Sequence, residues 1–215
     1  MRKPRPDAPI GVLLVDDHAV VREGYRRLLE SDGGVAVVGE AASSAEALSL
    51  DRELKPDVIV LDIALPGVSG IDTLRRLIAR RPAARVLVFS MYQDAIYATR
   101  AFKAGALGYV SKSSAPELLV EAVRFVAEGR QYVSPDVHQA MSASSSHTAG
   151  PADLLSIREF EVLRLLTRGC GMNEIGEQLG ISPKTVANLQ SSIKQKLGAN
   201  TALQLMIIAR QAGLS

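Results

Sequence analysis

Five short apolar runs, spaced by stretches of helical periodicity, constrain this chain more than any other feature. They are residues 10–15, 35–38, 58–61, 86–89 and 108–110. Most are rich in β-branched residues, as strands buried on both faces should be. Between them, apolar residues recur on one helical face. One set is Val21, Tyr25, Leu28 and Leu29, a second Ile71, Leu74, Leu77 and Ile78, and a third Leu118, Leu119, Ala122, Val123 and Val126. Five strand–helix units in succession predict a doubly wound, five-stranded parallel α/β sheet with right-handed crossovers and helices on both faces.

Ligands in such sheets bind at the carboxyl ends of the strands. Asp16 and Asp17 follow the first run, Asp62 the third, Ser90 the fourth and Lys112 close behind the fifth. Singly, each reads as a turn, cap or solvated residue. Together they make a chemical set. Three carboxylates in one crevice repel one another and call for a cation. All-oxygen ligation suits a hard ion such as Mg²⁺. A carboxylate can attack phosphorus to give an aspartyl-phosphate, with a hydroxyl and an ammonium stabilising the phosphoryl oxygens.

The stretch 142–151, small and polar with Gly and Pro, cannot bury apolar surface and reads as linker. It divides the chain into an expected first domain over 8–130, a linker over 131–152 and a second domain over 153–215. Residues 1–150 carry 18 basic and 18 acidic residues, and 151–215 carry 7 and 5. From 178 onward there are four basic residues and no acid. The net charge of +2 is therefore carried by the second part. At 47% apolar and 22% charged residues the composition is globular, which excludes a disordered or collagenous chain. No apolar run reaches the roughly 18 residues that span a bilayer, and the basic start has no apolar signal core behind it. A single cysteine, Cys170, offers neither a disulfide within the chain nor a zinc set with three scattered histidines. Cytoplasmic location without membrane association is expected.

The second part predicts four short helices. Ser156 and Glu159 form a capping box at the start of the first. The second covers 173–179 and stops at Gly180. Ser182-Pro183 opens the third, 183–197, which ends at Gly198. The fourth covers 201–211. The short turn at 180–182 makes a helix-turn-helix pattern. On the third helix Val186, Leu189, Ile193 and Leu197 share an apolar face, whereas Lys184, Asn188, Ser191 and Gln195 form a polar stripe. The stripe suits a recognition helix in the major groove, and the lack of nearby acids suits phosphate contact. Periodicity alone favours a solvated helix in a small bundle over that reading. Cys170 is expected in a loop, and His18 at a helix start.

The motifs Val12-Leu-Leu-Val-Asp16-Asp17-His18, Val60-Leu-Asp62-Ile-Ala-Leu-Pro66-Gly67-Val-Ser-Gly70, Val88-Phe-Ser90 and Gly105-Ala-Leu-Gly-Tyr109-Val-Ser-Lys112 resemble the receiver domain of two-component response regulators, over about residues 10–130. The resemblance implies a flavodoxin-like fold with Asp62 as phosphoacceptor. It implies Mg²⁺ (or Mn²⁺) held by Asp17, Asp62 and the backbone carbonyl of Ala64, with Asp16 acting mainly through water. Ser90 and Lys112 would contact the phosphoryl group, and Tyr109 would be an aromatic switch that turns inward. Ala64 cannot orient an attacking water through its methyl, and Met91 is expected to crowd the phosphate site. Slow loss of the phosphoryl group is therefore expected. A metal-dependent phosphatase with an aspartyl nucleophile is the rival enzyme reading. Such enzymes use an acid two residues after the nucleophile, where this chain has Ala64, so no enzyme is expected.

The motifs Leu155-Ser-Ile-Arg158-Glu159-Phe-Glu161-Val-Leu, Asn173-Glu174-Ile175-Gly176, Leu179-Gly180-Ile181-Ser182-Pro-Lys184-Thr185-Val186 and Ile193-Lys-Gln-Lys196-Leu197-Gly198 resemble the LuxR-type DNA-binding domain. Receiver plus LuxR-type domain is the arrangement of the NarL/FixJ family. The resemblance implies base contacts near Ala187, Asn188 and Ser191. It implies phosphate contacts from Lys184, Thr185, Lys194 and Lys196, and a dimer contact through Leu203, Met206 and Ile207. The partners it implies are a cognate histidine kinase, double-stranded promoter DNA with two half-sites, and a second copy of the chain once phosphorylated. The alternative within this family is a DNA-binding regulator whose receiver serves as a dimer module independently of phosphorylation.

Overall fold

A computed structural model describes residues 8–31, 33–144 and 154–211. The chain forms two compact units, one through Ser145 and one from Ser146. In the first, the apolar runs become β1 (Ile10–Val15), β2 (Val35–Ala41), β3 (Val58–Leu61), β4 (Val86–Ser90) and β5 (Gly108–Ser111). Between and after them lie α1 (Ala19–Glu30), α2 (Ser44–Leu54), α3 (Gly70–Arg80), α4 (Ala95–Lys103) and α5 (Glu117–Ala127). With a further strand, β6 (Tyr132–Val133), all strand pairings are parallel, in the order β2-β1-β3-β4-β5-β6. The sheet core is built from the strand residues themselves. Val12, Leu14, Val58, Val60, Leu87 and Val110 pack with Leu29 of α1 and with Leu119, Ala122, Val123 and Val126 of α5. Chain direction across the sheet reverses between β1 and β3, and this switch point opens the crevice at their carboxyl ends.

The sheet has six strands, one more than the apolar runs predict. Its edge strand β6 (Tyr132–Val133) and the following α6 (Pro135–Ser144) lie where the sequence suggests linker. Tyr132 N donates to Leu107 O at 3.1 Å and Ser134 N to Tyr109 O at 3.0 Å, which extends the ladder beyond β5. The Tyr132 ring meets Phe125 edge-on at 5.5 Å, and Val137 is fully buried. Two residues are too few to show a strand period, which is why the run is silent in the sequence. The Ser134-Pro135 pair before α6 repeats the Ser182-Pro183 start and was the available signal. Residues 145–152 of the expected linker, and residue 153 after it, lie outside the described residues.

The second unit contains α7 (Ile157–Thr167), α8 (Met172–Leu179), α9 (Pro183–Leu197) and α10 (Ala202–Gln211). Helix α7 opens with the full capping box of Ser156 and Glu159. It is the most buried helix of the unit, with Ile157, Phe160, Val162, Leu163, Leu165 and Leu166 all buried. The turn into α9 needs glycine twice. Gly180 holds φ at 63°, and a Cβ on Gly176 would sit 2.7 Å from Ile181 O. On α9 only Val186 and Ile193 are buried; Leu189 and Leu197, expected in the core, are half-buried.

Candidate functional site

The sheet brings the strand-end residues together. Asp62 N donates to Val15 O at 2.9 Å, placing the end of β3 beside that of β1, and Lys112 N donates to Ser90 O at 2.8 Å. Asp16, Asp62 and Ser90 are buried. The Lys112 ammonium lies 2.5 Å from Asp16 Oδ2 and 2.5 Å from Asp62 Oδ2, bridging the two carboxylates. Asp62 Oδ1 accepts from Ala64 N at 2.9 Å, and Asp16 Oδ1 from His18 N at 2.8 Å.

Burial pushes the Asp62 carboxyl above its ordinary value, and Lys112 and the Ala64 amide only partly oppose that. Burial would lower the Lys112 ammonium, but the charges and hydrogen bonds of Asp62 and Asp16 outweigh it and raise its pKa. The site therefore holds a charged lysine between two acids, one of them poorly compensated.

Asp17 Oδ1 is buried and accepts no hydrogen bond; His18 Nδ1 lies 2.9 Å from it, outside hydrogen-bonding geometry. Asp16, Asp17 and His18 each place one ligand atom within 4.8 Å of the others. An orphaned buried carboxylate oxygen beside other acids fits a divalent cation, and the oxygen-rich set favours a hard one. His18 also precedes α1 as its N-cap residue, as the sequence suggests.

Tyr109 is fully buried, and its hydroxyl donates to Tyr92 O at 2.7 Å. Burial pushes its phenol above the ordinary value. The ring expected to turn inward therefore already points inward. Ser90 Oγ accepts from Tyr92 N at 3.3 Å, which ties the strand-end hydroxyl to the same loop. Met91 is 62% exposed, so the crowding expected of it is not a buried contact.

In the second unit, Lys184, Thr185, Asn188, Ser191 and Gln195 are exposed along α9, and Ala187 and Lys194 are half-buried. Thr185 is engaged with Ser182, which caps the helix by accepting from Thr185 N at 3.1 Å. Ser191 Oγ donates back to Ala187 O at 3.0 Å. The Lys196 ammonium, expected on DNA phosphate, bonds Glu159 Oε2 at 2.7 Å while remaining partly exposed. Sequence reasoning missed this pair because its partners lie 37 residues apart. On α10, Leu205 is buried, Met206 half-buried, and Leu203 and Ile207 exposed, so two of the three expected dimer-contact residues face outward. Cys170 is a half-buried free thiol in the loop before α8.

A parallel sheet carrying a convergent acid–lysine–serine pocket, followed by a helix-turn-helix unit, defines a signalling receiver joined to a DNA-binding module. A model of the response regulator receiver domain matches residues 12–124, and one of the luxR family of bacterial regulatory proteins matches 153–209. The response regulator UvrY of Escherichia coli K12 is 36% identical over 95% of each chain. GacA of Pseudomonas aeruginosa is 35% identical over 95% of this chain and 97% of its own. Among solved structures, a LuxR-family two-component response regulator from Aurantimonas sp. SI85-9A1 is 46% identical, covering 65% of this chain and 100% of that one, with a TM-score of 0.63. The RcsB–DNA complex is 27% identical over 94% of this chain and 98% of that one, with a TM-score of 0.60. The chain belongs to the NarL/FixJ family of two-component response regulators, with a receiver domain and a LuxR-type DNA-binding domain. Among the described residues, no helix is long and apolar enough to cross a membrane.

Proposed function

We propose that Asp62 accepts a phosphoryl group from a cognate histidine kinase and that this controls promoter binding in the cytoplasm. The observation that carries the reading is the Lys112 bridge, 2.5 Å to Asp62 and to Asp16. It supports a buried nucleophile held beside the cation that would receive the new phosphoryl oxygens. An Asp62 oxygen attacks phosphorus, the P–N bond to the kinase histidine breaks, and its electron pair returns to the imidazole. Asp17, Asp62 and the Ala64 carbonyl would hold Mg²⁺ or Mn²⁺, with Asp16 acting through water. When bound, the ion neutralises charge on the transferring phosphoryl group. Ser90 and Lys112 contact the phosphoryl oxygens, and Tyr109 packs against the rearranged Ser90 loop. The methyl of Ala64 orients no water, which favours a long-lived phosphoryl group and a regulator rather than a phosphatase.

On DNA, Lys184, Thr185 and Lys194 contact phosphates, and Ala187, Asn188 and Ser191 face base edges. Leu203, Met206 and Ile207 form the contact between two copies, which then read two half-sites about one DNA turn apart. RcsB in complex with DNA and RcsB bound to promoter rprA with a phosphomimetic are structural relatives, which supports the reading. The test is Phos-tag mobility with DNA titration, with and without a small phosphodonor and Mg²⁺. Wild type should shift and bind promoter DNA more tightly, and Asp62→Ala should do neither. Equal binding by both proteins in all conditions would instead make the receiver a phosphorylation-independent dimer module.

A further inference from the structure

The residues on either side of Lys112 are held from outside their own loop. Ser111 N donates to Ser134 Oγ at 3.3 Å, while Ser134 N donates to Tyr109 O at 3.0 Å. Beyond Lys112, Ser114 Oγ donates to Asp136 Oδ1 at 2.8 Å. Ser111 and Ser134 are both fully buried. The loop closes on itself through Ser113 N to Ser111 Oγ at 3.1 Å and Ser114 N to Ser111 O at 3.1 Å. Thus the loop that aims Lys112 is pinned before it by Ser134 and after it by Asp136. Both pins sit at the start of α6, which is itself anchored by buried Val137 and packs on α4 and β5.

We propose that Ser134 and Asp136 are positioning residues for Lys112: they fix the β5–α5 loop so that its ammonium reaches Asp62 and Asp16 together. The Lys112 ammonium meets two carboxylates at once, and its stem is flexible, so a loop held on both sides of Lys112 keeps the ammonium within reach of both. The Ser114–Asp136 bond ends on a carboxylate, so it is among the stronger hydrogen bonds available to such a loop. This inference rests on the reading of Asp62 as phosphoacceptor. It adds that the sixth strand and helix, outside the five strand–helix units, are part of the phosphorylation machinery.

The test uses the full chain with Asp136→Ala, Asp136→Asn, Ser114→Ala and Ser134→Ala, each with and without Lys112→Ala. The first readout needs no phosphorylation: acetylation of Lys112 by an amine-reactive ester, quantified by mass spectrometry. Asp136→Ala and Ser114→Ala should raise it on the order of tenfold, as loss of one charge-assisted hydrogen bond implies. Asp136→Asn keeps an acceptor oxygen without its charge and should fall between wild type and Asp136→Ala. The second readout is phosphorylation by a small phosphodonor with Mg²⁺. In Asp136→Ala the maximal rate should fall about tenfold with the donor KM little changed, the cost of a misplaced group. In the Lys112→Ala background the same substitution should have no further effect. Unchanged labelling, or an equal rate loss with and without Lys112, overturns the proposal. A wild type that takes up no phosphoryl group overturns the functional reading instead, and the labelling then decides the clamp alone.

Discussion

Each unit buries one informative carboxylate, and the two are treated in opposite ways. Asp62 of the receiver is 3% exposed and Glu159 of the DNA-binding unit 4% exposed. Glu159 receives donors from three directions: Ser192 Oγ at 2.6 Å, Lys196 Nζ at 2.7 Å and Ser156 N at 2.6 Å. Burial alone would raise its pKa, but those donors outweigh it and hold the carboxyl at about 2. Asp62 has the Lys112 ammonium, shared with Asp16, and one amide. Burial wins there, and its pKa rises. A fully satisfied buried acid is a structural pin, and an under-satisfied one in a crevice is poised for chemistry.

The comparison breaks most sharply on substitution. Asp62→Ala should abolish phosphoryl uptake in a Phos-tag assay, and Glu159→Ala should leave uptake intact. Glu159→Ala should instead cost the second unit about 1–2 kcal/mol, since it removes the reciprocal half of a capping box and the hydrogen bonds from Ser192 and Lys196. Urea unfolding followed by amide exchange in α7 and α9 measures it. A loss below about 0.5 kcal/mol, the range of an ordinary surface change, would mean Glu159 is no pin.

Gly70→Ala probes the backbone behind Asp62. An added Cβ would sit 2.2 Å from Ile63 Cα and 2.6 Å from Asp62 O. The β3–α3 loop must shift, at about 1–3 kcal/mol, and phosphoryl uptake should slow with it. Wild-type uptake in Gly70→Ala would show that Asp62 tolerates the shift.

Acid should separate the units. The depressed pKa of Glu159 gives a stabilisation that is complete above its ordinary 4.5 and lost as pH falls towards about 2. The raised pKa of Asp62 has the opposite sign: its ionised form costs stability, and protonation relieves that cost as pH falls. Amide exchange between pH 5 and 3 should therefore show α7 and α9 loosening more in wild type than in Glu159→Gln. The smallest expected effects lie on α9. Lys194→Ala should weaken all DNA sequences and flatten the salt slope by about one unit, whereas Asn188→Ala should relax base preference. Lys196→Ala should act through stability, because its ammonium is bound to Glu159.

The candidate site was legible where its signal was local. Asp16, Asp17, Asp62 and Ser90 were marked by ending an apolar run, and Lys112 by following one closely, which requires only the sheet period and a strand end. Helix α9 was legible to the residue because Ser182, Pro183 and Gly198 punctuate it. The pins at Ser134 and Asp136 were not, since a two-residue strand has no period. Nor was the pairing of Lys196 with Glu159, since a lysine on a polar stripe carries no sign of its partner.

The sequence alone determined the order of two domains, their charge partition and the membership of the strand-end set, because periodicity, caps and turn residues act within a few positions. Only the tertiary structure decided which charges meet. Lys112 finds Asp62 across 50 residues and Asp16 across 96, and the reversal of strand order between β1 and β3 opens the crevice they share. The number of donors reaching a buried acid, and hence whether it is a pin or a reactive group, depends on that topology.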